Sequence, residues 1–456
     1  MLILGILALL CLLLLALPTP EGLSHQGHRV FVVLVLAIGL WCTEVLPLGL
    51  TGLVVVMALV TSGAVSDFRQ ALIGFSQPVA YFLIGVLTIG LAVLRSGLAE
   101  RVALFFLRQC GGRARALYLH LLLSFPLLTL ILPSATTRTG ILIHVYDQAL
   151  NLGQVPRGAP LARAIMLALN SINRLASTVL LTGGITPILS ASLIGDIGWS
   201  RWFVLMSVPY GILLAISAGL IYLLYRRGFT ISLAERPLHT PQPFTGVEIR
   251  TILIIAGTSL LWLTDGLHHW HPALPALLAW VCLLAPGIGV LTWREFEQSF
   301  SWASFFVLAS SLSLATALID SGAGQWLANL LLNSMPSLQH HPLLVVLVLL
   351  LAAAPVRLLI PNITGFLATA IPIAMSIGTT TGTNPMICGL AVMIAGDAVL
   401  YYPAQSASSL VVYERGHLSA MEIFRFGVWM TLVAFLVVLF IALPYWALLG
   451  EPLRVQ

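Results

Sequence analysis

Apolar stretches of about twenty residues recur from one end of the chain to the other. A helix rises about 1.5 Å per residue, so a stretch of this length crosses a hydrocarbon core about 30 Å thick. The clearest stretches are residues 30–46, 79–94, 202–225, 252–263 with its flanks, 343–354 and 424–449. Shorter and interrupted segments lie between them. The pattern predicts an all-α polytopic membrane protein with about eleven transmembrane helices and two re-entrant hairpins.

The composition supports the same conclusion. Apolar residues make up 59% of the chain and charged residues 8%, and the mean hydropathy is +1.02. A soluble domain carries about 25% charged residues, so this chain lacks the polar surface that water requires. The net charge of +5 comes from arginines that flank the apolar stretches. Because such arginines report membrane topology, we expect no nucleic-acid partner.

Residues 1–17 could be either a cleaved signal peptide or a retained transmembrane helix. They contain no basic residue, and the sequence PTP at 18–20 is a poor cleavage site. We therefore predict a retained first transmembrane helix with its connector over residues 1–28. The five cysteines show no paired spacing, which argues against a disulfide framework or a metal site.

An internal repeat divides the chain into two halves. Short motifs recur in the same order in both, which indicates duplication of one ancestral unit. The matched motifs are WCTE at 41–44 with WLTD at 262–265, FS at 75–76 with FS at 300–301, SG at 96–97 with SG at 321–322, and PSATT at 133–137 with PNIT at 361–364.

The placement of arginine indicates that the halves have opposite orientations. Residues 323–343 contain neither arginine nor lysine, and the same is true of 379–386. The matching loops of the first half carry Arg101, Arg108, Arg113, Arg115, Arg157 and Arg163. Because positively charged loops face the cytoplasm, the first set of loops is predicted inside and the second outside.

We therefore predict two inverted repeats. Such repeats are typical of alternating-access transporters, because near-equivalent halves give near-equal conformations open to each side. The alternative is a duplicated scaffold without a transport role. The predicted units are inverted repeat 1 over 29–225 with a hairpin near 119–145, a cytoplasmic connector over 226–250 carrying Arg226, Arg227, Arg236 and Arg250, inverted repeat 2 over 251–449 with a hairpin near 343–373, and a C-terminal tail over 450–456.

Each half contains two polar breaks with Pro or Gly inside apolar sequence. Unwound backbone at membrane depth is tolerated only where protein or water satisfies it, so breaks of this kind mark sites. Helix N-termini and hydroxyl groups brought together there suit an anion. The alternative is that the hydroxyls bond to their own backbone or ease helix packing. The breaks are LPSATTRTG at 132–140, IPNITG at 360–365, TGGITP at 182–187 and YYPAQSASS at 401–409.

These breaks carry a family resemblance. The sequence resembles the divalent anion:sodium symporter family, whose members carry dicarboxylates, citrate or sulfate and bear a Ser-Asn-Thr motif at each hairpin tip. Residues 134–136 and 362–364 fall in those places. The pattern Pro133, Ser134, Thr136, Arg138 is more similar to the citrate/succinate antiporter and plastid oxoglutarate/malate translocator branch.

The resemblance implies a secondary transporter of small divalent anions, either di- and tricarboxylates or sulfate, in the bacterial inner membrane. It also implies an elevator-type motion, a homodimer and a surrounding lipid bilayer, with exchange or cation coupling both open. The candidate substrate-binding residues are Ser134, Ala135, Thr136, Thr137, Arg138, Thr182, Gly183, Asn362, Ile363, Thr364 and Ser406.

The sequence departs from the family at the asparagine of both tip motifs. Ala135 and Ile363 stand in those places, which puts family-typical sodium coordination in doubt. Hydroxyl and carbonyl oxygens could still hold sodium, because hard cations ask only for oxygen ligands. We expect no other cofactor, and any sodium ion would lie near Ser134, Gly183 and Thr364.

Among the charged residues within apolar sequence, Arg138 is the one that we predict to act on the substrate. A guanidinium matches a carboxylate or sulfate edge, and we expect it to supply a fixed positive charge where relatives hold sodium. The alternative is that Arg138 reaches the cytoplasmic headgroups. Arg174 and Asp397 could each line the cavity, with Asp397 carrying a coupling proton. Alternatively, each could belong to a structural pair or anchor the membrane interface. Glu44 and Asp265 are expected to fix scaffold helices or the dimer region, and Arg357 to anchor the outer hairpin.

Two other functions are alternatives to anion transport. A cation/proton antiporter or a carrier that exports metalloid oxyanions shares inverted hairpins with the leading interpretation. A membrane-embedded enzyme is the rival from another class, but the sequence contains no HExxH, no G-x-S-x-G and no clustered pair of intramembrane carboxylates. We therefore predict that the chain is not an enzyme.

Overall fold

The structure is a computed structural model that describes residues 2–195, 197–231, 243–334 and 341–454. Within these residues the regular secondary structure is all helical, with no β-strand. An isolated bridge pairs Thr383 with Arg454 near the C-terminus. The predicted all-α fold class is confirmed.

The helices of the first half follow the apolar stretches and end at polar or Gly/Pro positions. They are α1 (Leu2–Ala16), α2 (His25–Thr43), α3 (Leu48–Thr61), α4 (Phe68–Ala71), α5 (Ile73–Ser76), α6 (Pro78–Ser96), α7 (Leu98–Arg108), α8 (Ala114–Ile131), α9 (Ala135–Leu152), α10 (Pro160–Leu167), α11 (Asn173–Thr178), α12 (Ile185–Ile194) and α13 (Trp199–Leu224). A π-helical segment, Ala168–Ile172, joins α10 to α11.

The second half repeats this order of long and short helices. Its helices are α14 (Gly246–Leu263), α15 (Asp265–His268), α16 (Ala273–Leu284), α17 (Trp293–Ser299), α18 (Trp302–Asp320), α19 (Ala323–Ser334), α20 (Pro342–Leu359), α21 (Ile363–Thr381), α22 (Pro385–Asp397), α23 (Ala407–Tyr413), α24 (Ala420–Val437) and α25 (Leu443–Leu448). A second π-helical segment, Val438–Ala442, joins α24 to α25.

Many of these helices are long and apolar enough to cross a bilayer. Within the described part of the chain, nine meet that length and composition, and shorter apolar helices accompany them. The shorter ones include α3, α12, α16 and α22. The sequence pattern predicted about eleven crossings; the lower figure arises because breaks divide several apolar stretches into pieces shorter than a span.

The packing of the halves is reciprocal. Helix α6 packs along α16, and α18 packs along α3. By order along the chain α16 is the counterpart of α3, and α18 is the counterpart of α6. Reciprocal contacts of this kind arise when two equivalent units meet at one interface. The opposite membrane orientation of the halves stays a prediction.

Proline ends the first helix of each predicted hairpin. Leu132 and Ile360, which follow α8 and α20, each precede a proline and adopt extended backbone conformations. The proline ring excludes the helical conformation at the residue before it, so both helices stop there. The chain then restarts at α9 and α21, whose N-caps are Ser134 and Asn362. Both units are longer than the predicted hairpin ranges, and their re-entrant course stays a prediction.

A glycine makes the later break of the first half compact. An added Cβ at Gly183 would lie 1.8 Å from the carbonyl oxygen of Ser177, which is part of the backbone of α11. Gly184 has only an ordinary contact, 3.9 Å from Ser177 Cβ, and its extended φ of 169° suits any residue. Only Gly183 is therefore required for the close approach of the chain to α11.

Parts of the predicted units lie outside the described residues. These parts are Met1 of the first unit, Asp196 of inverted repeat 1, residues 232–242 of the connector, which include Arg236, residues 335–340 of inverted repeat 2, and the tail residues 455–456.

We predict that Gly183→Ala destabilises the protein whereas Gly184→Ala does not. Overpacking against backbone that cannot move aside costs about 1–3 kcal/mol. Thermal unfolding of the purified protein in detergent measures the effect, and only Gly183→Ala should lower the midpoint by several degrees. Equal midpoints for the two variants would show that the chain does not approach α11 as closely as described.

Candidate functional site

A cavity of about 380 Å³ lies where the four breaks come together. Its walls come from both halves, so neither half could form it alone. Hydroxyl, amide and charged side chains dominate its polar lining: Glu44, Ser134, Thr136, Arg174, Ser177, Thr178, Thr186, Ser301, Ser304, Arg357, Asn362, Thr364, Asp397, Gln405, Ser406 and Ser408.

The first hairpin tip contributes Ser134, Ala135 and Thr136 to this lining. The Ser134 hydroxyl caps α9 by accepting from the Thr137 amide at 3.3 Å and from the Thr137 hydroxyl at 3.0 Å. Thr137 itself turns away and lines a separate cavity of about 630 Å³. Successive helical residues point about 100° apart, which separates Thr137 from its neighbour Thr136.

The second tip contributes Asn362, Ile363 and Thr364, as the sequence predicts. The Asn362 side-chain oxygen accepts from the Thr364 amide at 2.8 Å and caps α21. Ala135 and Ile363 occupy equivalent places in the two tips and present no polar side chain. The polar groups at each tip are therefore the capping residue, the threonine and the backbone.

The later breaks contribute less evenly. Ser406 lines the cavity, whereas Thr182 and Gly183 lie behind the wall, where Gly184 and Thr186 take their place. The Thr182 hydroxyl faces Trp199, whose indole N–H donates to it at 3.3 Å. The structure therefore brings seven of the predicted residues to one cavity and leaves Thr137, Arg138, Thr182 and Gly183 outside its lining: the seven are Ser134, Ala135, Thr136, Asn362, Ile363, Thr364 and Ser406.

First turns of several helices point their amide ends toward the cavity. The starts of α9, α12, α18 and α21 all line it. The first amides of a helix have no acceptor within the helix and carry a partial positive charge. Among the residues that the structure describes, no side chain caps α12 or α18. A negatively charged ligand is the partner that such a set of helix ends favours.

Arg138 lies directly behind the first tip and is fully buried. Its Nη1 donates to the carbonyl of Leu132, and its Nε donates to the Asn173 side-chain oxygen at 2.9 Å. Its Nη2 donates to the Asn173 carbonyl at 3.1 Å and to the Ser177 hydroxyl. The side chain therefore joins the hairpin break to α11. It does not extend outward, so the alternative of contact with headgroups is wrong.

Arg357 has the same role at the second tip. It too is fully buried, and its Nη1 donates to the carbonyls of Ile360 at 2.6 Å and Pro361 at 2.8 Å. Its Nε donates to the carbonyl of Gly396, near the end of α22, at 3.1 Å. Unlike Arg138, it also lines the cavity. Arg357 therefore anchors the hairpin, as predicted, and places its charge beside the cavity.

Within the described residues, both guanidinium groups bond only to uncharged acceptors. Leu132 and Ile360 are the C-cap residues of α8 and α20, so their carbonyls lie at helix ends where the dipole is negative. A buried charge without a counter-ion costs several kcal/mol, so these dipoles offset part of that cost. Arg357 brings its positive charge to the cavity wall, where it favours an anion.

The same contacts bear on sodium. At the first break, Arg138 bonds to the carbonyl of Leu132, and the Asn173 amide donates to the carbonyl of Ala135 at 3.0 Å. At the second, Arg357 bonds to the carbonyls of Ile360 and Pro361. These carbonyl oxygens at the two breaks are therefore engaged by N–H donors.

Sequence reasoning missed part of the site. Ser301 and Ser304, at the start of α18, line the cavity. In the sequence, Ser301 stands out only as part of the repeated FS motif. Glu44 lines it as an exposed residue instead of serving only to fix the scaffold. Its repeat partner Asp265 does have a structural role, because it accepts from the Ser200 amide at 3.1 Å and caps α13.

A helical membrane protein whose broken helices enclose a cavity lined by hydroxyl, amide and charged side chains has the architecture of a solute transporter. The chain belongs to the family described as the sodium:sulfate symporter transmembrane region, whose model matches residues 1–451. The predicted family resemblance is confirmed. The chain is therefore a multi-pass transporter of the bacterial inner membrane and not an enzyme.

Curated relatives and a solved structure agree with this assignment. The chain is 24% identical to the citrate/succinate antiporter of Escherichia coli K12, over 90% of each chain. It is 25% identical to the L-tartrate/succinate antiporter of Shigella dysenteriae, over 82% of this chain and 80% of the relative. The YdaH transporter of Alcanivorax borkumensis has the same fold, with a TM-score of 0.55 at 16% identity over 83% of this chain and 86% of that one.

We predict that Arg138→Lys destabilises the protein although it keeps the charge. Lysine cannot reach Leu132, Asn173 and Ser177 together, and losing hydrogen bonds of this kind costs about 2 kcal/mol or more. Thermal unfolding should show a clear drop for this variant and for Arg357→Lys. Arg226→Lys, at an exposed arginine, is the control and should melt like the wild type. A wild-type midpoint for Arg138→Lys would contradict the bridging role.

Proposed function

We propose that this transporter exchanges small di- and tricarboxylates across the bacterial inner membrane. The observation that carries the proposal is the pair of buried arginines, Arg138 and Arg357, one at each hairpin break and, among the described residues, neither bonded to a carboxylate. Two fixed positive charges behind two sets of helix N-termini suit a passenger with negative charge at both ends. The citrate/succinate and L-tartrate/succinate antiporters among its relatives support the same substrate class.

Exchange, in place of sodium-coupled uptake, follows from the arginines. In a sodium symporter the bound cations balance the charge of the passenger and leave with it. Here the balancing charges belong to the protein and stay in the site after the passenger leaves. An empty carrier would then hold uncompensated buried charge, which disfavours its return without a second anion.

The transport cycle is proposed to use two inverted repeats in an elevator-type motion within a homodimer. The reciprocal packing of α6 on α16 and of α18 on α3 supports two equivalent halves. The distribution of arginine between matching loops supports their opposite orientation. The elevator motion and the dimer come from the family resemblance.

The direct test is exchange in proteoliposomes. Uptake of labelled succinate should require succinate, citrate or another di- or tricarboxylate inside, and removal of sodium should leave it unchanged. Liposomes without an internal anion are the control and should take up little label. Internal sulfate tests the other substrate class. Uptake into empty liposomes driven by a sodium gradient would contradict the exchange mechanism.

We predict that Arg138→Ala and Arg138→Gln both weaken substrate binding and slow exchange. Removing a fixed charge near the site should raise the apparent dissociation constant by on the order of tenfold. Competition by unlabelled succinate and initial exchange rates measure the two effects, with the exposed Arg226→Gln as control. Wild-type affinity and rate in both Arg138 variants would refute the role of this charge.

A further inference from the structure

An ion pair in the cavity wall joins the two halves. Arg174, on α11, donates from Nη1 to Oδ1 of Asp397, the last residue of α22, over 2.9 Å. The Arg174 side chain is 11% exposed and that of Asp397 is 1% exposed. Both residues line the cavity. The pair is therefore shielded from bulk water but adjoins the space that a passenger would occupy.

The Asp397 carboxylate accepts hydrogen bonds from side chains of the first half of the chain. Besides Arg174, the Thr178 hydroxyl donates to Oδ2 at 2.7 Å and the Tyr210 hydroxyl donates to the same oxygen at 2.9 Å. These donors lie on α11 and α13, so they hold the end of α22 against two helices of the first half. The carboxylate is thus fixed in position to cancel the charge of Arg174.

The guanidinium of Arg174 is less completely bonded. Within the described residues its Nε is buried without a hydrogen-bond partner. Its Nη2 makes a long bond of 3.3 Å to the carbonyl of Val399. If Asp397 lost its charge, Arg174 would be an uncompensated cation beside the cavity with donors to spare. A carboxylate of the passenger is the group that could satisfy those donors.

The other charges around the cavity act with different strength. Arg357 lines it and Arg138 lies behind the first tip, and both are buried. Glu44 also lines it but is exposed, and water and salt screen an exposed charge far more than a buried one. While the Arg174–Asp397 pair is intact it adds no net charge. The two lone arginines therefore dominate the potential in the cavity.

We infer that Asp397 sets the number of negative charges on the preferred passenger by cancelling Arg174. The inference rests on the proposed anion exchange and adds its charge selectivity. With the pair intact, one uncompensated arginine at each break matches an anion with two charges. Without the Asp397 charge, Arg174 joins Arg138 and Arg357 as a third uncompensated cation in or behind the cavity wall, and a trianion is preferred. Without the Arg174 charge, the preference moves toward fewer charges.

A series of competitors on one carbon skeleton tests this inference. Butyrate, glutarate and propane-1,2,3-tricarboxylate carry one, two and three carboxylates on the same propane chain. Each competes with labelled succinate in proteoliposomes, at a pH that ionises every carboxyl group. Wild type should prefer glutarate. Asp397→Asn should raise the affinity for the tricarboxylate relative to glutarate by on the order of tenfold to a hundredfold.

Two further variants make the test independent of any single substitution. Arg174→Gln should shift the preference the opposite way, toward butyrate. The double variant Arg174→Gln/Asp397→Asn should return it to glutarate, because both charges are gone. If one of the two single variants does not fold, the shift in the other single variant decides the test. If neither folds, a changed preference in the double variant overturns the inference.

Glu297→Gln is the control, because it removes one negative charge at an exposed position outside the cavity lining. Screening should hold its effect to within about threefold. An unmoved preference in folded Asp397→Asn, or an equal shift in Glu297→Gln, overturns the inference while the proposed exchange stands. Wild-type protein that responds to none of the three carboxylates overturns the proposed exchange as well.

Discussion

Interrupted helices at membrane depth impose the constraint on which this structure depends. A break leaves carbonyl groups on one side and amide groups on the other, and no lipid can bond to either. Arg138 and Arg357 satisfy the carbonyl side by donating to Leu132, Ile360 and Pro361. The amide side, at the first turns of α9 and α21, is left facing a common cavity. Satisfying one side of each break with a cation thus prepares the other side for an anion.

This division of labour links stability to selectivity. The arginines hold each hairpin to the neighbouring broken helix, α11 or α22, so the site cannot form unless the fold is intact. Their charge is the same feature that favours an anionic passenger. The Arg174–Asp397 pair then ties α11 to α22 across the two halves. Binding and scaffolding therefore use the same few buried charges.

Much of this arrangement could be read from the sequence, because it has local causes. The prolines after Leu132 and Ile360 and the caps Ser134 and Asn362 marked both tips. The side to which a residue points could not be read, because about 100° separates neighbours on a helix; Thr136 lines the cavity and Thr137 does not. The partnership of Arg174 with Asp397 joins distant parts of the chain, and no local pattern indicates it. The sequence pointed to Arg138 as a ligand, whereas the structure places it behind the tip.

We propose that the two tips hold the two ends of one anion while Arg138 and Arg357 bond to the carbonyls of the breaks behind them. An electron cryo-microscopy structure with a bound dicarboxylate tests it most directly. We expect ligand density between residues 134–136 and 362–364, with Arg138 and Arg357 still bonded to the backbone carbonyls at the two breaks. Density for the anion at another site, or a sodium ion on those carbonyls with the arginines displaced, would contradict it.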